Sequence, residues 1–308
     1  MLSQSIRILD FDASVNKQKN LLRKYPHQII NLQDLAPRAR LWMNGRVKNA
    51  VARRLRATSV RGVTFIGSGD FHHITPLLLD ELQEPVTLIV FDLHPDWDIL
   101  PPRFGCGSWV SEALRKKNIA QCLLFGVASE DITFPWIQSA NLNALGNDRL
   151  RIYPYCHSPS LVFLRKIPQN SSLRVEKSFL RSRIYWDELK GKNLTDFFLE
   201  AIGKLAVKKA YVSIDKDCLK NEYALTNWEE GKLTLDELIL MLKLIKENLD
   251  IAGLDITGDH SKISVSGSLK GFLSRLDHPQ ETGADKFSAE EITGINESTN
   301  LKILEALI

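Results

Sequence analysis

Three ionisable side chains occupy alternate positions directly after an apolar run. Asp92, His94 and Asp96 follow Val86-Thr-Leu-Ile-Val-Phe91, and Asp98 adds a fourth. In extended chain, residues two apart project to the same side, so three ligand-type groups leave one strand end together. Crowded carboxylates repel one another and lose hydration, which a cation relieves. The competing reading is a solvated turn; acidic turns are common, but Asp-x-His-x-Asp behind a hydrophobic run is not. A second carboxylate pair, Asp215-Lys-Asp217, ends the run Ala210-Tyr-Val-Ser-Ile214. His72 and His73 follow Gly67-Ser-Gly-Asp-Phe after another short apolar run. Either histidine alone would ordinarily be read as a cap or packing residue. In a parallel sheet, however, both strand ends open on one edge beside the Asp-His-Asp cluster.

The elements that must position these groups are legible as patterns. Val86–Phe91 is β-branched at 86, 87, 89 and 90, as expected of a strand covered on both faces, and Pro95 ends it. Strands are also expected at Ile6–Phe11, Val63–Ile66, Cys122–Val127, Ile152–Tyr155, Ala210–Ile214 and Ile251–Ile256. Helices are expected at Val47–Leu55, Leu77–Leu82, Val110–Lys117, Asp196–Val207 and Leu301–Ile308. The helix Leu235–Asn248 carries a capping box of Thr234 and Glu237. Residues 20–45 give no assignment, 157–183 read as a surface excursion or short hairpin, and 276–295 are polar. Strands alternate with helices from 63 to 256 without a linker or repeat. The pattern predicts a single α/β domain over residues 1–308, a mostly parallel sheet between helices.

Composition narrows the class. With 308 residues, 44% hydrophobic and 25% charged, the chain reads as an ordinary soluble globular protein. A formal net charge of +3 gives no reason to expect nucleic acid or a membrane surface as partner. The cysteines at 106, 122, 156 and 218 lack metal-binding spacing, which fits a reducing, cytoplasmic setting. No run reaches membrane-spanning length and no signal-peptide pattern opens the chain.

Three stretches together resemble the arginase/agmatinase (ureohydrolase) superfamily. Its Gly-Gly-Asp-His-Ser, Asp-Ala-His-x-Asp and Ser-x-Asp-x-Asp-x-x-Asp-Pro signatures correspond, in order, to Gly69-Asp-Phe-His72-His-Ile, Asp92-Leu-His94-Pro-Asp96 and Ser213-Ile-Asp215-Lys-Asp217. The resemblance spans residues 60–275. It implies a three-layer α/β/α sandwich and two Mn²⁺ per chain, cleaving a C–N bond of a small guanidino or amidino compound by metal-bound hydroxide. Carried over by position, Asp92 and Asp215 would bridge the ions, His72 and Asp96 would complete one shell, and His94 and Asp217 the other. His73 is the alternative to His72. Four carboxylates and two imidazoles suit Mn²⁺ better than a thiolate zinc site would. Glu230-Gly231, ahead of the helix at 235, matches a family carboxylate that faces the guanidinium through paired charge-assisted bonds.

The sequence also departs from the family. Cys218-Leu-Lys-Asn replaces the trailing Asp-Pro, and Gly105-Cys-Gly-Ser108-Trp replaces the loop carrying the proton-shuttle histidine. Cys106 or Ser108 stands as the substrate-contacting candidate there, with a plain tight turn as the other reading. Asp259-His260-Ser261 copies the first signature at the wrong strand and reads as support behind the ligands or as substrate wall. Two further readings stand beside the amidinohydrolase: a metal-dependent amide hydrolase of related fold, and a metal-binding protein without catalysis. Family members are often trimers or hexamers, so a homo-oligomer is among the expectations.

Overall fold

The computed structural model describes every residue except 1–4, 59–61, 138, 164–166, 168, 178–179, 268–269, 273, 275–277 and 279–281. Its strands are β1 (Ile6–Asp10), β2 (His27–Asn31), β3 (Val63–Gly67), β4 (Val86–Phe91), β5 (Ile119–Phe125), β6 (Leu150–Tyr153), β7 (Ser160–Phe163), β8 (Leu173–Lys177), β9 (Arg181–Trp186), β10 (Lys209–Asp215) and β11 (Asp250–Thr257). Eight of them form one sheet in the order β2-β1-β3-β11-β10-β4-β5-β6, each neighbouring pair parallel.

Side-chain alternation splits the apolar residues between two cores. Val86, Leu88 and Val90 of β4 meet the helices Gly45–Arg56, Thr75–Leu79, Trp109–Ala113 and Leu142–Gly146. Ile89 and Phe91 meet the helices Leu194–Gly203, Leu235–Asn248 and Ala289–Leu307 on the other face. The sheet is therefore the middle of three layers, as expected, and its strands are apolar on both sides because both sides are covered. The capping box of Thr234 and Glu237 is present as read.

Several boundaries and elements differ from the sequence reading. Residues 20–45 contain the helix Lys19–Lys24 and the edge strand β2, whose His27, Ile29 and Asn31 are exposed, so burial gives it little apolar signature. The helix after β3 runs from Thr75 to Leu79, starting and ending earlier than expected, and a 3-10 turn over Gly69–Ile74 leads into it. Residues 157–183 contribute to a three-stranded antiparallel sheet, β7-β9-β8; positions 164–166, 168 and 178–179 of that stretch lie outside the described residues. The last helix starts at Ala289, three turns before the expected Leu301. Ser288 and Glu291 form its capping box, and its first turns carry polar residues that mask the helical period. The rest of the polar stretch holds a 3-10 turn at Gly283–Lys286, while 276–277 and 279–281 lie outside the described residues.

The four central strands β3, β11, β10 and β4 are adjacent, and because all are parallel their carboxyl ends share one edge. The candidate site lies on that edge.

Candidate metal centre

Two short turns aim the carboxylates. Asp92 Oδ1 accepts the amide of His94 at 2.8 Å, and Asp215 Oδ1 accepts the amide of Asp217 at 3.1 Å. Each aspartate thus closes a turn onto the residue two ahead, a conformation its short side chain favours. Convergence of Asp92, His94 and Asp96 arises from this bend, not from the extended alternation the sequence suggested. Asp96 goes further, adopting φ 45°, a left-handed conformation uncommon outside glycine. Its carboxylate is held there by the Trp109 indole, whose Nε1 donates to Asp96 Oδ2 at 2.6 Å.

The six residues His72, Asp92, His94, Asp96, Asp215 and Asp217 come together. His72 Nδ1 lies 3.1 Å from Asp92 Oδ2, 3.4 Å from Asp215 Oδ2 and 3.8 Å from Asp96 Oδ2. His94 Nδ1 lies 3.1 Å from Asp217 Oδ2 and 3.8 Å from Asp92 Oδ1. Two overlapping groups have donor atoms within 4.8 Å of one another, His72-Asp92-Asp96 and Asp92-His94-Asp217, with Asp92 common to both. His73 is not in this cluster. Burial, with minor help from the charges of Lys270 and His72, holds its ring down at about 3.

Such packing is electrostatically costly without a counter-ion. Burial, then Asp92, pushes the Asp96 carboxyl well above the usual carboxylate range. Burial, with Asp215 and Asp92 beside it, pushes Asp217 up to about 8. Burial works against the charged forms of His72 and His94, yet their carboxylate neighbours overcome it and raise both. Two buried atoms facing the cluster, His72 Nδ1 and Asp92 Oδ2, have no hydrogen-bond partner. Orphaned ligand atoms amid hard oxygen donors fit a bound metal ion.

Behind the cluster, His72 Nε2 meets Ser213 Oγ at 2.8 Å, and Ser213 Oγ donates to Asp255 Oδ1 at 2.7 Å. The sheet register sets this up by pairing Ser213 with Asp255 across β10 and β11. Lys216, between the two aspartates, is fully buried and reaches Asp259 Oδ1 at 2.8 Å, which also accepts Gln18 Nε2 at 2.7 Å. Asp259 therefore supports the turn, matching the reading of Asp259-His260-Ser261 as backing. Ser261 Oγ accepts from Arg40, which also pairs with buried Asp70. Gly258 ends β11 at φ 88°, and a Cβ there would fall 2.4 Å from Asp215 Oδ1. No side chain fits at that point of the floor.

Of the three candidates for substrate contact, Cys106 is half-buried in its loop, and Ser108 and Glu230 are placed otherwise. Ser108 Oγ lies 2.7 Å from the Pro102 carbonyl and 2.9 Å from that of Arg103, and it accepts the Gly105 amide at 3.3 Å. Its hydroxyl is spent on the geometry of its own loop, the plain-turn reading. Glu230 is exposed and accepts the Asn221 amide at 3.1 Å. Its neighbour Glu229, also exposed, brings a carboxylate oxygen to 3.6 Å from His94 Nε2, and His94 draws its carboxyl below the usual range. Gly231 fixes this phase: a Cβ there would strike the Cys218 carbonyl at 2.1 Å, so the chain cannot shift to exchange the two acids. Trp228 completes the wall, with its ring 5.3 Å from that of His94 and its Nε1 donating to Asp70 at 3.1 Å. The run Trp-Glu-Glu-Gly was visible in sequence; which acid faces the site was not.

No family model matches the chain. An uncharacterised protein of Thermotoga maritima is 26% identical over 199 residues, 64% of this chain, and the match spans 58% of that relative's length. Among solved structures, the formimidoylglutamase of Bacillus subtilis subsp. subtilis str. 168 superposes with a TM-score of 0.59 at 12% identity, covering all of this chain and 88% of the other. A Bacillus subtilis arginase gives 0.58 at 11% identity over 99% and 98%. A hypothetical agmatinase from Burkholderia thailandensis gives 0.56 at 14% over 99% and 86%. The fold is thus the arginase/agmatinase (ureohydrolase-like) α/β fold that the sequence resemblance implied. No helix among the described residues is long and apolar enough to cross a membrane.

Proposed function

We propose that this chain is a binuclear manganese-dependent hydrolase that cleaves a C–N bond of a small guanidino or amidino compound. The carrying observation is the convergence of four carboxylates and two imidazoles, with His72 Nδ1 and Asp92 Oδ2 buried and unpartnered. In this reading His72, Asp92, Asp96, Asp215, His94 and Asp217 would hold the ions. A bound pair of such ions would supply Lewis acidity and lower the pKa of water toward neutrality.

The protein's own groups bind and orient. Glu229 presents its carboxylate beside His94, where paired charge-assisted bonds would hold a planar guanidinium. Trp228 walls the same side. The absence of a side chain at Gly258 leaves room for Asp215 Oδ1. The reading extends to a small-molecule substrate, with neither nucleic acid nor membrane as partner, in a cytoplasmic protein.

Metal analysis and product assays test this together. Close to two Mn²⁺ per chain, with urea or ammonia released from a panel of guanidino and amidino compounds, is the expected result. One zinc per chain would favour the amide hydrolase. A filled site without product would favour a metal-binding protein lacking catalysis, the reading that the missing proton-shuttle histidine supports.

A further inference from the structure

Both ring nitrogens of His72 are buried, and they face chemically different surroundings. Nδ1 faces the oxygens of Asp92, Asp215 and Asp96. Nε2 faces Ser213 Oγ at 2.8 Å, and that hydroxyl lies 2.7 Å from Asp255 Oδ1. Ser213 and Asp255 are fully buried, so water does not replace either partner. Tyr211 and Thr75 bring hydroxyls near Asp255, whose Oδ2 is buried without a hydrogen-bond partner among the described residues.

We propose that Asp255, acting through Ser213, is a positioning residue that holds the His72 proton on Nε2 and leaves the Nδ1 lone pair free for a divalent cation. An ionised carboxylate only accepts hydrogen bonds, and a serine hydroxyl has one proton to give. That proton goes to Asp255, so the serine oxygen accepts from His72 Nε2–H. The relay has one consistent direction, from ring to hydroxyl to carboxylate. Histidine ligands commonly owe their tautomer to the partner of the other nitrogen. The inference rests on the metal-centre reading proposed above; it gives a role to Ser213, which opens the third signature stretch, and to Asp255, which lies outside all three.

The direction can be reversed. In Asp255→Asn, the hydroxyls near the unpartnered Oδ2 position favour an amide oxygen there, which turns the amide NH₂ toward Ser213. Ser213 must then donate to Nε2, and the proton moves to Nδ1, where it blocks the cation. Mn²⁺ affinity, measured with the metal alone by calorimetry, should fall about 100-fold in this variant and about 10-fold in Ser213→Ala, within the span seen for such supporting partners. The double variant should bind more tightly than Asp255→Asn alone, since removing the hydroxyl removes the reversed bond. A purely structural role predicts the opposite order, and Asp255→Asn binding like wild type would also overturn the relay. A wild type that takes up no Mn²⁺ would sink the metal-centre reading instead. The relay would then be judged by long-range ¹H–¹⁵N NMR of His72 at alkaline pH, where an Nε2–H ring supports it and an Nδ1–H ring refutes it.

Discussion

Among single residues, Asp92 carries the largest share of the proposed chemistry, because its two oxygens face both histidines. Asp92→Asn keeps the shape but removes the charge, and uptake of both Mn²⁺ ions should be lost with activity; retained binding in that variant would contradict the bridging role. Glu229 and Glu230 make a sharper comparison. Glu229→Ala should lower kcat/KM on a guanidinium substrate about 10- to 100-fold with metal content unchanged, the worth of a charge-assisted bond. Glu230→Ala should stay near wild type, since its carboxylate meets only the Asn221 amide among the described residues. The types and spacing of Asp92, His94, Asp96, Asp215 and Asp217 made the cluster readable from sequence, because such donors seldom follow apolar strands. The choice between adjacent acids was not readable, since it depends on the chain phase that Gly231 sets by packing on another segment. Asp255 left one trace, an acid inside the apolar run Ala252-Gly-Leu-Asp-Ile256.

At the scale of elements, the turn after β10 depends on a buried ion pair. Lys216 and Asp259 lie almost wholly out of water; burial, the largest influence on Lys216, lowers its ammonium despite the opposing pull of Asp259. Removing one partner strands the other charge, so Lys216→Met should destabilise by about 3–5 kcal/mol in denaturant titration. Lys216→Met combined with Asp259→Leu should recover part of that loss. The central strands and the helix at Leu235–Asn248 were legible because local pattern and tertiary burial agree there. The edge strand β2 and the early turns of the final helix were not, since exposed faces leave apolar periodicity incomplete. The Ser288–Glu291 capping box was the available signal at that helix.

Across the whole molecule, contacts between distant segments decide how stability follows pH and metal. Asp70 joins Arg40, Trp228 and His278, which stand far apart in the chain. Burial lowers His278, but the Asp70 carboxylate overcomes it and leaves the ring above its ordinary 6.5. The contact therefore stabilises fully below about pH 6.5 and weakens as pH rises through the higher folded value. The melting difference between wild type and His278→Asn should shrink on going from pH 6 to alkaline buffer; a constant difference would exclude the linkage. Mn²⁺ at 100 times its Kd should stabilise the fold by about 2.7 kcal/mol, reversed by chelator. Strand order at this scale is not written in local pattern, because parallel neighbours are joined only through distant crossovers; the family resemblance implied the three layers but no order. One consequence follows from the indoles of Trp109 and Trp228, whose rings lie 4.4 Å and 5.3 Å from those of His72 and His94. Two of the six tryptophans would sense any charge entering between those imidazoles, so the chain carries its own optical gauge of cation loading, readable as intrinsic fluorescence without a label.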